Sequence, residues 1–506
     1  MTGDGVPSPT PTRRRLLAGV GTALAAATAG CGYVPGGGDL AWEESIRTGG
    51  LAFADERFHL PAGDRLVTVT NQSGRTYDFE DEVWREVSNA AVSVLTSEGT
   101  VEAVGETARQ VAGAPAVADD AVFLPLEGAR LTAIDLPDAG SVAGGSSADP
   151  VRWQVDIGSR LASESGGGEK STDGRDETGP SLRAVRASDA LAVAVGTRGI
   201  AAVDAETGDP RFAVPDLWAG ADGAGGPGDA AQRVAVDAET AWAFAPGAAS
   251  SAAVGTGPAI VGFDRRGDRR GERAVDAATE WLVALDGTAV AAAPGESLVG
   301  YDGGLDRRFA LDVSAPERRP SGVVATEGRL YCARGRTLTA VDIAAGEIAF
   351  ERSDLPSDHL AVDATGAYVA ENSGGFNDPT RGRMVALGSG GSMRWEAPFP
   401  DEIEPRALFA IGGRLVELHA DRRLLGEQPL AERPERLVAG LVLHRPGGVG
   451  RLRRGLAQHR EVAMFVADLP AVDVVTDDPG GDLLAEVLAV RATVVLEDGH
   501  RDGGVG

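Results

Sequence analysis

The sequence is 506 residues long, with 75 Asp and Glu against 48 Lys and Arg and a formal net charge of −27. Lys170 is the only lysine, so almost every base is an arginine on a heavily acidic surface. Such a surface repels phosphates and argues against nucleic-acid binding, and two cysteines, Cys31 and Cys332, are too few for a disulfide-held fold.

In chain order, residues 1–30 read as an address. Thr12-Arg13-Arg14-Arg15-Leu16-Leu17 resembles the twin-arginine export motif, with Arg13 and Arg14 as its pair. The apolar run at 16–29 is shorter than the ~20 residues a spanning helix needs. Thr28-Ala29-Gly30-Cys31 resembles a lipobox, which implies that Cys31 becomes a lipid-bearing N-terminus. Residues 31–50 then serve as anchor and flexible tether, helped by the glycines at 36–38. The expected location is extracytoplasmic, lipid-anchored to the cell membrane. With Cys31 lipidated, Cys332 in Leu330-Tyr331-Cys332-Ala333 reads as a small buried strand residue.

Residues 51–112 carry strand-like runs at 65–70 and 91–95, the first unit of an array or the strand that closes it. A clearer unit follows at 113–158, with Ala121-Val122-Phe123-Leu124, then Leu131-Thr132-Ala133-Ile134-Asp135, then Trp153. Residues 159–180 and 219–229 are rich in Ser, Gly and acid, and are expected to be mobile surface loops.

The strongest repeats are Gly199-Ile200-Ala201-Ala202-Val203-Asp204 with Gly208 and Phe212, and Thr337-Leu338-Thr339-Ala340-Val341-Asp342 with Gly346 and Phe350. The alternating run fits a half-buried strand. The Asp accepts backbone N–H groups of the following turn, the Gly takes the positive φ the turn requires, and the aromatic opens the next antiparallel strand. Weaker copies centre on Asp135, on Asp264 with Gly267, and on Asp302 with Phe309. Met384-Val385-Ala386-Leu387 has Gly388 in place of the Asp but keeps Gly391 and Trp395. Anchors at 264, 302 and 342 lie 38 and 40 residues apart. That period predicts a β-propeller over 51–436 with about eight four-stranded blades, seven being the alternative. Residues 407–417 are a candidate closing strand. From 437 to 506 the pattern dissolves into an irregular extension, with a basic Arg451-Leu452-Arg453-Arg454 and a short amphipathic helix predicted at 482–490.

The pattern of small-aliphatic-Asp, Gly four residues on, and Trp or Phe four further resembles the PQQ-like β-propeller repeat, found in quinoprotein dehydrogenases and in the non-enzymatic lipoprotein scaffold of outer-membrane barrel assembly. The resemblance covers roughly residues 60–430 and implies a fold, not an activity. Quinone chemistry in that family implies a Ca²⁺ site, a catalytic Asp and in many members a vicinal cysteine pair, and no Cys-Cys pair is present. Histidines at 59, 359, 419, 444, 459 and 500 lack a metal-ligand spacing, and Asp358-His359 with Asp363 reads as a solvated loop. Gly166-Gly167-Gly168-Glu169-Lys170-Ser171 misses a phosphate-loop glycine, and no Gly-x-Ser-x-Gly elbow occurs. The expectation is a non-enzymatic propeller without cofactor or metal, acting as an interaction scaffold for a protein or peptide at the cell surface. The alternative is a small-ligand or Ca²⁺/quinone-binding propeller related to quinoprotein dehydrogenases. The acidic, lysine-poor composition also resembles that of halophile proteins, in which high salt screens self-repulsion.

Overall fold

A computed structural model describes residues 40–44, 53–78, 83–118, 120–137, 150–162, 181–218, 227–245, 257–275, 279, 281–292, 297–313, 323–326, 328–356, 358–371, 382–398, 405–412, 414–420 and 435–440. Residues 444–506 belong to a second unit, which lies outside the described residues.

The alternating apolar runs pair with their sequence neighbours as antiparallel meanders, giving eight four-stranded sheets. Seven sheets are built from four consecutive strands each. Blade 1 comprises Phe53–Ala62, Arg65–Asp78, Val83–Thr96 and Val101–Glu106. Blades 2 to 7 occupy 116–156, 182–214, 234–274, 281–311, 323–352 and 359–398. Blade 8 combines Pro405–Ile411, Arg414–Ala420 and Glu435–Gly440 with a strand from the other end of the chain, Leu40–Glu44. The first strands of successive blades pack on one another in turn, and that of blade 8 packs on Phe53–Ala62 of blade 1. The cycle is therefore closed, and the fold is an eight-bladed β-propeller.

Both faces of each blade are apolar because each is sandwiched between neighbours. In the second strand of blade 3, Val193 and Val195 face blade 4 while Ala192 and Ala194 face blade 2. Eight apolar clusters result, one in each seam. The closing seam between blades 8 and 1 includes Leu66, Leu95, Ile411, Val416 and Leu418.

Several expectations shift. Closure is made by Leu40–Glu44, inside the segment read as tether, while 407–417 supplies the first two strands of blade 8. Strand Glu435–Gly440 carries the propeller past 436. The segment read as a loop from 159 begins instead in a one-turn helix, Gly158–Leu161, whose Leu161 is buried against blades 2 and 3. A second short helix, Pro227–Gln232, ends the stretch read as loop at 219–229. In both places one or two apolar side chains dock on a seam and order the chain locally. Cys332 lies in strand Arg329–Arg334 at 2% exposure. Arg13, Arg14, Cys31, Gly166–Ser171 and the helix predicted at 482–490 lie outside the described residues.

Candidate functional site

The repeat residues meet at the turn between the third and fourth strands of each blade. Asp204 Oδ1 accepts the N–H groups of Glu206 (3.1 Å) and Thr207 (3.0 Å). Burial raises this carboxyl, but the Arg211 guanidinium and the turn N–H groups outweigh burial and hold it below the usual range. Asp264 accepts from Arg266 and Asp268, Asp302 from Gly304 and Asp306, and Asp342 from Ala345. Asp135 differs: its carboxylate takes the Arg152 guanidinium, which also reaches Asp120. Asp204, Asp264, Asp302 and Asp342 thus hold turns, and Asp135 and Asp204 also hold arginines.

Gly208 has φ +73° and Gly346 φ +67°. Both also lie against the aromatic of the preceding blade. A Cβ on Gly208 would sit 2.7 Å from Trp153, and one on Gly346 would sit 3.0 Å from Phe309. Trp153 Nε1 donates to the Ala205 carbonyl of the same turn at 3.0 Å. Turn glycine and aromatic thus form one lock across a seam. Phe212 under Gly267 and Phe350 under Gly391 repeat it.

A second repeat escapes the Asp-Gly-aromatic pattern. Arg152, Arg211, Arg270, Arg308 and Arg394 each precede the aromatic position. Arg270 donates to Thr240 Oγ1 at 3.0 Å, Arg394 to Thr365 Oγ1 at 2.7 Å, and Arg308 to Thr288 Oγ1. Arg270 and Arg308 span their blades from the outer strand to the second, and Arg394 reaches the turn that leads into the second strand. The signal was present as an Arg-aromatic dipeptide, but in a sequence whose bases are almost all arginine any one arginine looks ordinary.

At the hub, a cavity of about 400 Å³ is bounded by the first strands of blades 6, 7, 8 and 1. His59 and His359 supply its polar groups, against Leu360, Leu408 and Phe409. His59 Nδ1 meets Thr68 Oγ1 at 3.1 Å, and its ring lies 6.1 Å from that of Phe409. His359 is therefore not on a solvated loop: it opens the buried strand His359–Asp363, and Asp363 caps the following turn through Thr365 and Gly366. Sequence spacing could not pair His59 with His359, because 300 residues separate them until the cycle closes. Across one strand, Glu417 pairs with Leu408 and is 4% exposed. Burial pushes its carboxyl up to about 8. Among the described residues no group of three His, Cys, Asp or Glu could hold a metal ion. Calcium takes hard oxygen ligands; two imidazoles in an apolar lining do not fit the Ca²⁺ and quinone set that the repeat resemblance implies.

Blade 1 carries the other distinctive feature. Its second and third strands have 14 residues each, and their pairing continues from Gly74↔Val87 to Asp78↔Val83. The flanking strands stop earlier, at Phe53↔Ser73 and Ala91↔Glu106. A two-stranded ribbon therefore extends past the four-stranded blade, and Val83 and Trp84 near its tip are 46% and 57% exposed. The alternation that marks strands 65–70 and 91–95 stops short of this ribbon, which has no core to face and so no apolar period to read.

No protein-family model and no curated protein matches the sequence. Among solved structures, BamB from Moraxella catarrhalis is similar at 13% identity and TM-score 0.43, over 80% of this chain and 99% of that one. A quinohemoprotein alcohol dehydrogenase from Pseudomonas putida HK5 is similar at 14% and TM-score 0.43, over 87% of this chain and 80% of that one. Sqt1 from Saccharomyces cerevisiae is similar at 8% and TM-score 0.43, over 80% and 99%. Likenesses of this size decide no activity, and the eight blades stand on the strand pairing itself.

Proposed function

We propose that this propeller is a membrane-anchored, extracytoplasmic interaction scaffold that binds a protein partner through the blade 1 ribbon and performs no chemistry of its own. The observation that carries the reading is the exposure of Trp84 and Val83 on a ribbon that projects beyond its blade. Large aromatics exposed on a rigid support are the residues that anchor protein interfaces, and here the support is a closed eight-blade cycle. The Asp-Gly-aromatic turns support a place among PQQ-like propellers, and the apolar, imidazole-bearing hub favours the scaffold over a Ca²⁺/quinone site.

Anchorage adds geometry. Leu40, the first residue of the closing strand, comes nine residue steps after Cys31. At ~3.3–3.6 Å per residue the tether reaches about 30 Å at most, so a lipid on Cys31 holds the edge of blade 8 close to the membrane. The test is site-specific photo-crosslinking in intact cells. A crosslinker at Val83 is expected to give a discrete adduct that Trp84→Ala abolishes, and Cys31→Ser is expected to release the protein from membranes. The same adduct from a crosslinker at Arg265, on blade 4, or its persistence in Trp84→Ala, would refute the ribbon as the contact.

A further inference from the structure

We infer that the seam between blades 4 and 5 holds a binding site for a small organic oxyanion, a carboxylate- or phosphate-bearing molecule, gripped by Arg273 and Arg307. A cavity of about 390 Å³ opens there, lined by these two arginines with Thr279, Ser297, Val299 and Tyr301. Its volume falls in the range of small-molecule sites, about 300–1,000 Å³. No carboxylate lines it among the described residues, in a chain whose net charge is −27.

The two guanidiniums come from outer strands of adjacent blades, Arg269–Ala274 and Arg307–Leu311. Neither makes an ion pair among the described residues. Nearby arginines of the same turns do: Arg269 pairs with Glu272 and Arg265 with Glu239. At the position of Arg273, two residues past the aromatic, blades 2, 3, 5 and 7 place Val155, Val214, Leu311 and Ala397, while blade 6 places Arg352. At the position of Arg307, two before it, blades 2, 3, 6 and 7 place Val151, Pro210, Ile348 and Met393, while blade 4 places Arg269. Blades 4 and 5 thus each place an exposed arginine at the lining of one cavity, where an anion held by both would offset their mutual repulsion.

The seam is also rebuilt. Gly271 stands where blades 2, 3, 5, 6 and 7 carry the aromatic, and Leu305, at φ +65°, stands where blades 3, 4, 6 and 7 carry the turn glycine. A Cβ on Gly271 would fall 2.6 Å from the Gly304 carbonyl oxygen, so the turn of blade 5 has moved in over the missing ring. Large and small have exchanged partners, and the usual lock is replaced by a polar-mouthed cavity with hydroxyls of Thr279, Ser297 and Tyr301 and an apolar wall at Val299.

The experiment titrates the full chain with inorganic phosphate in one arm and citrate in the other, against chloride at matched ionic strength, reading melting temperature and calorimetric binding. The expected result is a saturable rise with one arm stronger than the other, which assigns the anion class. Arg307→Gln should weaken binding about tenfold or more, the loss of a charged hydrogen bond; Arg273→Gln/Arg307→Gln should remove it, and Arg160→Gln on a remote helix should change nothing. Because the double variant also probes folding, wild-type protein is treated with phenylglyoxal and mapped by mass spectrometry: anion should protect Arg273 and Arg307 but not Arg160. A melting shift that survives in the double variant, or no protection by either anion, overturns the proposal.

Discussion

Gly208 and Trp153 show how one residue choice fixes a contact between blades. The turn needs a positive φ, which costs an L-residue about 1–2 kcal/mol, and the same Cα sits under the indole, where an added methyl would overpack. Gly208→Ala is therefore expected to cost about 2–4 kcal/mol in all, read as a lowered denaturant midpoint; a change within error would show that the turn can back away from the ring. Glu417 acts in the opposite sense. Its carboxyl is raised to about 8 by burial, while an unfolded chain ionises it near the ordinary value of 4.5. The folded state therefore binds the proton more tightly, and stability falls as pH rises between about 4.5 and 8, by up to about 1.4 kcal/mol per pH unit. Glu417→Gln keeps the shape without the charge and should melt higher than wild type at pH 8 to 9, with a flatter pH profile across that window. Equal slopes in the two proteins would place the titration elsewhere.

At the scale of elements, the strand Leu40–Glu44 joins the two ends of the propeller. It supplies the fourth strand of blade 8 by pairing with Glu435–Gly440. Without it that blade keeps three strands and exposes an unpaired edge at Glu435–Gly440. A chain beginning after residue 44 is expected to show faster amide exchange in blades 8 and 1 than in blades 3 and 4, whose seam is built on Trp218, Phe212 and Phe263. Uniform exchange throughout would mean that the strand contributes little to closure. The arginines that precede the aromatics work within blades, as does Arg383, which pairs with Glu371 at 3.0 Å and Glu396 at 2.9 Å in blade 7, while Arg336 joins Glu371 across blades 6 and 7.

For the whole molecule the balance of charge decides. Individual ion pairs at half-exposed sites such as Arg211 with Asp204 are worth about 0–1 kcal/mol each, and salt weakens them. Twenty-seven uncompensated negative charges repel across the same surface, and salt weakens that as well. The excess sets the sign, because repulsion involves every acid while attraction involves only those with an arginine in reach. Melting temperature should therefore rise as the Debye length shrinks from about 10 Å at 0.1 M to about 3 Å at 1 M salt. A fall over that range would mean that the ion-pair networks outweigh the net charge.

The Asp-Gly-aromatic period and its spacing announced a propeller, since a strand buried on both faces and a turn that needs a left-handed residue leave local marks in any copy. Blade 1 was half legible for the same reason: its alternation appears where it meets a core and vanishes in the ribbon that carries Trp84. What the sequence by itself determined was each blade's strand, turn and lock. Only the tertiary structure decided which ends meet, how His59 and His359 come to line one cavity, and where Arg273 comes to share another with Arg307, because those pairings depend on closing the cycle and on seams between blades, and no local period records them.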